Sequence, residues 1–206
     1  AYEMLRSLVG SEMCIRDSDN TWLHHAQVEQ HSLDMRQFVD FRQSTLANGL
    51  RQVEAYNASG LSYTILPDRG LDIWTAHYRG VPLTWISQGS PHAPQWGGSW
   101  LRLFNGGLLT TCGLTHVGDP DIDGLEKLGL HGRISNIAAQ NVSSDSYWED
   151  EEYIMEISGK INQVKALGEK LALSRKIRLF SAKSAISIED SIENSGYSPM
   201  PFMILY

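Results

Sequence analysis

Cysteine is almost absent from this chain. Cys14 and Cys112 are the only two in 206 residues. No disulfide framework and no cysteine-type zinc site can be built from them, which fits a reducing cytoplasm. No run of about 18 apolar residues occurs, so no segment is expected to span a bilayer as a helix. Positive charge is in deficit: 17 Lys and Arg stand against 24 Asp and Glu, a net charge of −7. That balance counts against nucleic acid and anionic membrane surfaces as partners. Helix signals are scarce, and neither internal repeats nor low-complexity linkers occur. No close His-x-His or His-x-x-x-His pair exists. A metal hydrolase built on His116, His131 and an aspartate would therefore lack the ligand spacing a metal needs.

What is present begins with a core. The hydrophobic fraction is 42% and the length fits one domain or most of one. Six Trp and eight Tyr are many for this length. Rings line sugar clefts because sugar C–H faces stack on them. They also fill β-sandwich cores, and for any single residue that second reading carries more weight.

The two ends stand apart. Residues 1–18 (AYEMLRSLVGSEMCIRDS) have no clean period, and Glu3, Glu12 and Arg16 interrupt any signal-peptide apolar core. The string resembles the spurious translated ends that adapter readthrough leaves on metagenomic reading frames, so the native domain is expected to begin near residue 19. At the other end, Pro201-Phe202-Met203-Ile204-Leu205-Tyr206 is an apolar, strand-like run with no turn after it. A strand stopped there would lack its partner. Residues 19–206 are therefore expected to be the N-terminal portion of a larger single domain.

Between the ends, residues 20–48 hold the helical signals, with a turn or two expected around Ser32–Phe38. From Gly49 onward the pattern is strand and turn. Residues 50–56 and 61–66 alternate and are joined by Asn57-Ala58-Ser59-Gly60, a hairpin signal. Residues 71–78 and 81–86 are joined by Arg79-Gly80. Strands are then expected over 134–142, 153–162, 170–181 and 185–193. Partial alternation in the last two fits long antiparallel strands with one wet face. Many such strands and few helices predict an all-β, antiparallel sandwich.

The chemistry concentrates between Trp100 and Asn136. Two glycine-flanked polar clusters, Asn105-Gly106-Gly107 and His131-Gly132-Arg133, bracket an apolar run and a loop. Glycine pairs let backbone approach backbone or ligand where a Cβ would clash. Two such clusters suit a polar ligand with several hydroxyls. Other residues have plainer readings. Cys112 in its apolar strand is a small core residue. Glu149-Asp150-Glu151-Glu152 is a solvated hairpin tip. Asp119-Pro120-Asp121-Ile122-Asp123-Gly124 lacks the glutamate spacing of a calcium loop and reads as a turn.

Three motifs in order carry a family resemblance. They are Leu66-Pro67-Asp68-Arg69-Gly70-Leu71-Asp72-Ile73, then Phe104-Asn105-Gly106-Gly107 through Leu114, then Leu130-His131-Gly132-Arg133-Ile134-Ser135-Asn136. With compatible strands between them, residues from about 40 to 206 resemble the aldose 1-epimerase (galactose mutarotase-like) superfamily, in its branch known as domain of unknown function 4432. The resemblance implies an antiparallel β-supersandwich, truncated here at its C-terminus, with a sugar cleft on a concave face. It implies a small-molecule sugar as partner and mutarotation of a cyclic hemiacetal. A carboxylate takes the anomeric proton while an imidazolium protonates the ring oxygen, so no metal or organic cofactor is required.

His131 matches a substrate-orienting histidine of the family. Asn105 stands where many relatives have arginine, so a neutral amide replaces a charged ring clamp. Arg69 or Arg133 are the candidates to supply that cation, and His116 is a further candidate cleft residue. If residues 131–133 were a strand, His131 and Arg133 would share a face. The plainer role for Arg69 is a turn held by Asp68 or Asp72, and for Arg133 a pair with Asp119, Asp121 or Asp123. The family's acid histidine and base glutamate correspond to positions beyond Tyr206. A carbohydrate-binding module that keeps the cleft without the chemistry is the alternative.

Overall fold

The structure is a computed structural model and describes residues 25–30, 33–89, 91–95 and 97–206. The leader over residues 1–18 lies outside the described residues. Near the start, helix α1 spans His25–Gln30. A 3-10 turn follows at Met35–Gln37, capped where the Asp34 side chain accepts the amide hydrogen of Arg36.

A five-stranded antiparallel sheet runs in the order β1 (Val39–Thr45), β2 (Arg51–Asn57), β3 (Leu61–Leu66), β4 (Asp72–Tyr78) and β5 (Val81–Pro82). The hairpin signals hold. Between β4 and β5, Arg79 and Gly80 have φ of 50° and 81°. Positive φ at both central residues is the hairpin turn whose twist matches the flanking strands. The expected strand over 81–86 is shorter, because Pro82 cannot donate to a ladder and ends it. β1 is a strand inside the segment where helical signals were expected. Its polar second half is exposed, which hid the alternation of Val39 and Phe41. What makes it a strand is full-length pairing with β2, from Val39 opposite Asn57 to Thr45 opposite Arg51.

The second sheet has the order β12 (Ile186–Asn194), β11 (Lys170–Phe180), β10 (Glu152–Val164), β9 (Gln140–Glu149), again antiparallel. The expected strand over 134–142 begins only at Gln140; Ile134–Asn136 is a 3-10 turn. The backbone there is tied elsewhere: Gly70 N–H donates to Ile137 O at 2.9 Å and Ala139 N–H to Pro67 O at 2.9 Å. Two small ribbons complete the fold. One pairs β6 (Cys112–Leu114) with β13 (Met203–Leu205), the other β7 (Asp121–Asp123) with β8 (Glu126–Leu128).

The core fills the space between the large sheets. Val53, Ala55, Tyr63, Ile65 and Ile73 of the first meet Ile157, Ile161, Leu173, Ile177 and Leu179 of the second. In β11 the inward positions alternate as Leu171, Leu173, Arg175, Ile177, Leu179, all buried. Arg175 thus occupies a core position with 0% exposure. It grips Asp190 of β12 with two parallel hydrogen bonds, Nε to Oδ1 at 2.8 Å and Nη2 to Oδ2 at 2.7 Å. Its Nη1 donates across the sandwich to Asp72 Oδ1 and to Gly70 O, each at 3.1 Å. Asp72 also accepts from the Thr111 amide and, at 2.6 Å, from the Thr111 hydroxyl. Among the described residues, no helix is long and apolar enough to cross a membrane.

Removing the cation would leave two largely buried carboxylates without a counter-charge. Arg175→Met should therefore cost roughly 3–5 kcal/mol. Arg178→Met, which breaks a half-exposed pair with Glu156, should cost about 1 kcal/mol or less. Urea unfolding of both variants checks the contrast, and similar midpoints would contradict it.

Burial pushes the Asp72 carboxyl up to about 6, against the pull of Arg175 and the Thr111 hydrogen bonds. Between pH about 4 and about 6 the folded protein then holds a proton that the unfolded chain, with an ordinary aspartate near 3.9, has released. Stability from this group accordingly falls as pH rises through that window and levels off above it. The unfolding free energy of wild type minus that of Asp72→Asn should decline from pH 4 to pH 6. A flat or rising difference would refute the assignment.

Candidate active site

One cleft among the described residues measures about 370 Å³. That is the lower part of the range of small-molecule sites. It forms where three stretches meet: the turn between β3 and β4, the short helix α2 (Trp100–Leu103) with the residues after it, and the segment from Gly129 to Ile137. Arg69, Asn105 and Arg133 all line it, as do Asp72, Trp100 and Phe104.

Arg69 is 4% exposed. Its Nε donates to Ser135 O at 2.6 Å, Nη1 to His92 O at 3.1 Å and Nη2 to Leu103 O at 3.0 Å. One side chain therefore fastens three separate segments of the cleft wall. The anticipated ion pair within its own turn does not form. Asp68 takes Arg51 through both side chain and amide, and Asp72 takes Arg175. Burial draws the Arg69 guanidinium below its ordinary value, and the charge of Asp72 opposes that shift.

Asn105 is buried, and its Nδ2 donates to Gly106 O at 2.9 Å. The glycine after it serves the backbone. A Cβ on Gly106, whose φ is 70°, would lie 2.4 Å from Trp85 O. Arg133 pairs through Nη2 with Glu126 Oε1 at 3.1 Å, not with the loop aspartates. Glu126 also takes Lys165, so the β7–β8 ribbon is fastened beside the cleft.

His131 and Arg133 do not share a strand face. His131 has φ of 57° and Gly132 of 75°, so the chain turns sharply between them. His131 is half-buried. Its Nδ1 accepts the Gly118 amide hydrogen at 3.3 Å, and its ring meets Trp100 edge-on with centroids 4.8 Å apart. It stands behind Trp100, which lines the cleft. His116 is 9% exposed, bonds through Nε2 to Asp119 O at 2.7 Å, and is not part of the cleft lining. Among the described residues, no group of three or more His, Cys, Asp and Glu is arranged to hold a metal ion.

Sequence reasoning missed the aromatic wall and the buried carboxylate. Trp100 and Phe104 stack at 4.5 Å, and Trp85 extends the stack from Phe104 at 5.8 Å. Their spacing carries no periodic signal, because they come from loops and one short helix. The signals that could have found the charged core pair are positional: Asp72 opens β4 as a buried residue, and Arg175 is the charged member of an apolar alternation in β11.

The sequence profile of Domain of unknown function (DUF4432) matches residues 47–206. The chain belongs to this family. Among solved structures, it is similar to a provisionally assigned aldose 1-epimerase from Klebsiella pneumoniae subsp. pneumoniae MGH 78578. The TM-score is 0.74 at 21% identity, over 86% of this chain and 48% of that one. It is also similar to a galactose mutarotase-like protein from Clostridium acetobutylicum, with a TM-score of 0.52 at 13% identity, over 82% of this chain and 53% of that one. The DUF4432 chain thus has the galactose mutarotase-like β-sandwich fold and spans about half the length of these structures. No curated protein matched its sequence.

The wall of this DUF4432 cleft depends on a backbone crossing. Gly113 N–H donates to His131 O and Arg133 N–H to Gly113 O, both at 3.0 Å. A Cβ on Gly132 would lie 2.4 Å from Gly113 O and 2.5 Å from His116 O. Gly132→Ala should cost about 2 kcal/mol or more, from the positive φ and the clash together. Gly129→Ala, with open space around its Cβ position, should change stability by about 0.5 kcal/mol or less. Thermal unfolding of the two variants distinguishes them; equal midpoints would show that the crossing has slack.

Proposed function

We propose that this chain binds a cyclic monosaccharide in the cleft and belongs to a cofactor-independent sugar mutarotase acting by general acid–base catalysis. The observation that carries the reading is the convergence of Arg69, Asn105 and Arg133 on a cleft walled by Trp100 and Phe104, in a chain with the mutarotase fold. Hydroxyls need donors and acceptors, and Arg133 and Asn105 offer both kinds. The C–H face of a pyranose needs an apolar plane, and Trp100 offers one. His131, with Nδ1 accepting from Gly118, packs edge-on behind Trp100 and positions that wall without touching the cleft itself.

Mutarotation asks only proton transfers of the protein. A base removes the anomeric hydroxyl proton as C1=O forms and the bond from C1 to the ring oxygen breaks, an acid protonates the departing oxygen, the C1–C2 bond turns, and the steps reverse on the other face. Each positioned group contributes roughly 10²–10⁴-fold. Among the described residues, Asp72 is the one carboxylate lining the cleft, and its oxygens already accept from Thr111 and Arg175. It supports the site and is not assigned as base. The acid and base are assigned to the half of the relatives' length that this chain does not span. This saturation of Asp72 also favours a second reading, a carbohydrate-binding module without chemistry.

Polarimetry on freshly dissolved α-sugars, with saturation-transfer NMR for binding, tests both readings. The 206-residue chain should bind sugar without speeding mutarotation, and a chain of the relatives' length should speed it. Binding without catalysis in the longer chain would favour the module. Full activity in the shorter chain would overturn the placement of acid and base. No binding by either would end the sugar reading.

A further inference from the structure

The aromatic lining of the cleft continues past its edge. Arg69, Asn105, Lys127 and Arg133 belong to the polar lining, and Trp100 and Phe104 are the rings. Phe104 stacks on Trp100 with 15° between the ring planes, and on Trp85 with 28°. Trp85 does not line the cleft, and it is 66% exposed. Three rings therefore form a run that begins in the cleft and ends in solvent. The outer ring is held in place by the motif that carries Asn105. Gly107 N–H donates to Trp85 O at 3.0 Å, and Ser87 N–H donates to Asn105 O at 3.2 Å. A Cβ on Gly106 would lie 2.9 Å from Cε3 of the indole, so the missing side chain is what lets the ring lie against this backbone. Leu83, Ile86 and Leu108 are exposed as well. An indole fixed in one place while facing water suits a contact surface, because little side-chain freedom is lost when something stacks on it.

We infer that the ligand is longer than the cleft: a reducing oligosaccharide whose terminal ring sits in the cleft and whose second ring stacks on Trp85. The inference rests on the sugar-binding reading and deepens it to a substrate class. Continuity decides the occupant. Phe104 belongs to the cleft lining and touches Trp85, so a ligand that leaves the cleft past Phe104 meets the exposed indole next. The 5.8 Å between the Phe104 and Trp85 centroids is comparable to the step between neighbouring rings of a linear glycan. Asn105 in the cleft and Trp85 outside it are also joined by backbone hydrogen bonds, so one rigid piece carries both subsites. The chemistry sets the direction of the chain. Mutarotation needs a free hydroxyl on C1, so the second ring is joined through another oxygen of the first sugar.

The test is calorimetric titration of the full chain with D-glucose against maltose, cellobiose and lactose, and with D-galactose against galactobiose. At least one disaccharide should bind about tenfold more tightly than the monosaccharide at its reducing end, the worth of one well-stacked ring. Trp85→Ala should remove that gain and leave the monosaccharide affinity within about twofold, while Trp85→Phe should keep part of the gain. Equal affinity for single and linked sugars in the wild type, a comparison that needs no variant, would overturn the oligosaccharide inference and leave the sugar site standing. A gain that survives in Trp85→Ala would do the same. An equal loss of monosaccharide and disaccharide binding in Trp85→Ala would make the indole part of the cleft wall and overturn the second subsite. A wild-type dimer that Trp85→Ala dissociates, read by sedimentation, would assign the indole to a contact between copies and overturn it as well. Binding of no sugar, single or linked, would overturn both readings.

Discussion

One buried positive charge organises this fold. Arg175 sits where the alternation of β11 calls for an aliphatic side chain, and it is held from both sides. Its cross-strand neighbour Asp190 takes one edge of the guanidinium, and Asp72 with the carbonyl of Gly70 takes another. The hydrophobic core would hold two sheets at about the right distance. It would not by itself fix their register, because dispersion and apolar burial are non-directional. A planar fork with fixed donor directions does fix it. Asp72 is the first residue of β4 and Gly70 lies in the turn just before, so the fork locks the turn that bears Arg69.

The cleft is built outward from that lock. Arg69 leaves the same turn in the direction of the loops and reaches three carbonyls from different parts of the chain. The segment after His131 is held by the Gly113 crossing, and the ribbon by Glu126. Each of these is a local solution to a backbone or charge problem, and together they leave a polar space with one aromatic wall. Gln163 of β10 adds a further tie, accepting from the Leu114 amide and donating to the Thr115 hydroxyl.

Sheet architecture was legible in the sequence because it depends on period and turn chemistry. Asn57 to Gly60 and Arg79-Gly80 end strands wherever they stand, and the long alternations of β10 and β11 need only one wet face. β1 was not legible, since its strand character comes from β2 and not from its own polar second half. The segment after His131 was not legible either: its extended appearance gives way to contacts with distant residues of the β3–β4 turn, such as Pro67 and Gly70. At the cleft, Arg69, Asn105 and Arg133 were visible as residue types beside glycines. The partners of Arg69 were not, because Ser135, His92 and Leu103 offer only carbonyls, which every residue has. Trp100 and Lys127 reach the cleft through loop and ribbon geometry that no local pattern encodes.

The triple grip of Arg69 has a consequence for how such clefts diversify. The same side chain sets both the shape of the wall and its charge, so neither property can be altered there without the other. A lysine could reach one carbonyl and would release two segments. Change of ligand preference through Arg69 is therefore closed to single substitutions. It remains open at Lys127, which is exposed, and at Asn105, whose side-chain amide donates to the carbonyl of its own neighbour Gly106. Variation among relatives that share this turn should gather at those two positions, with the arginine between the sheets and the loops left in place.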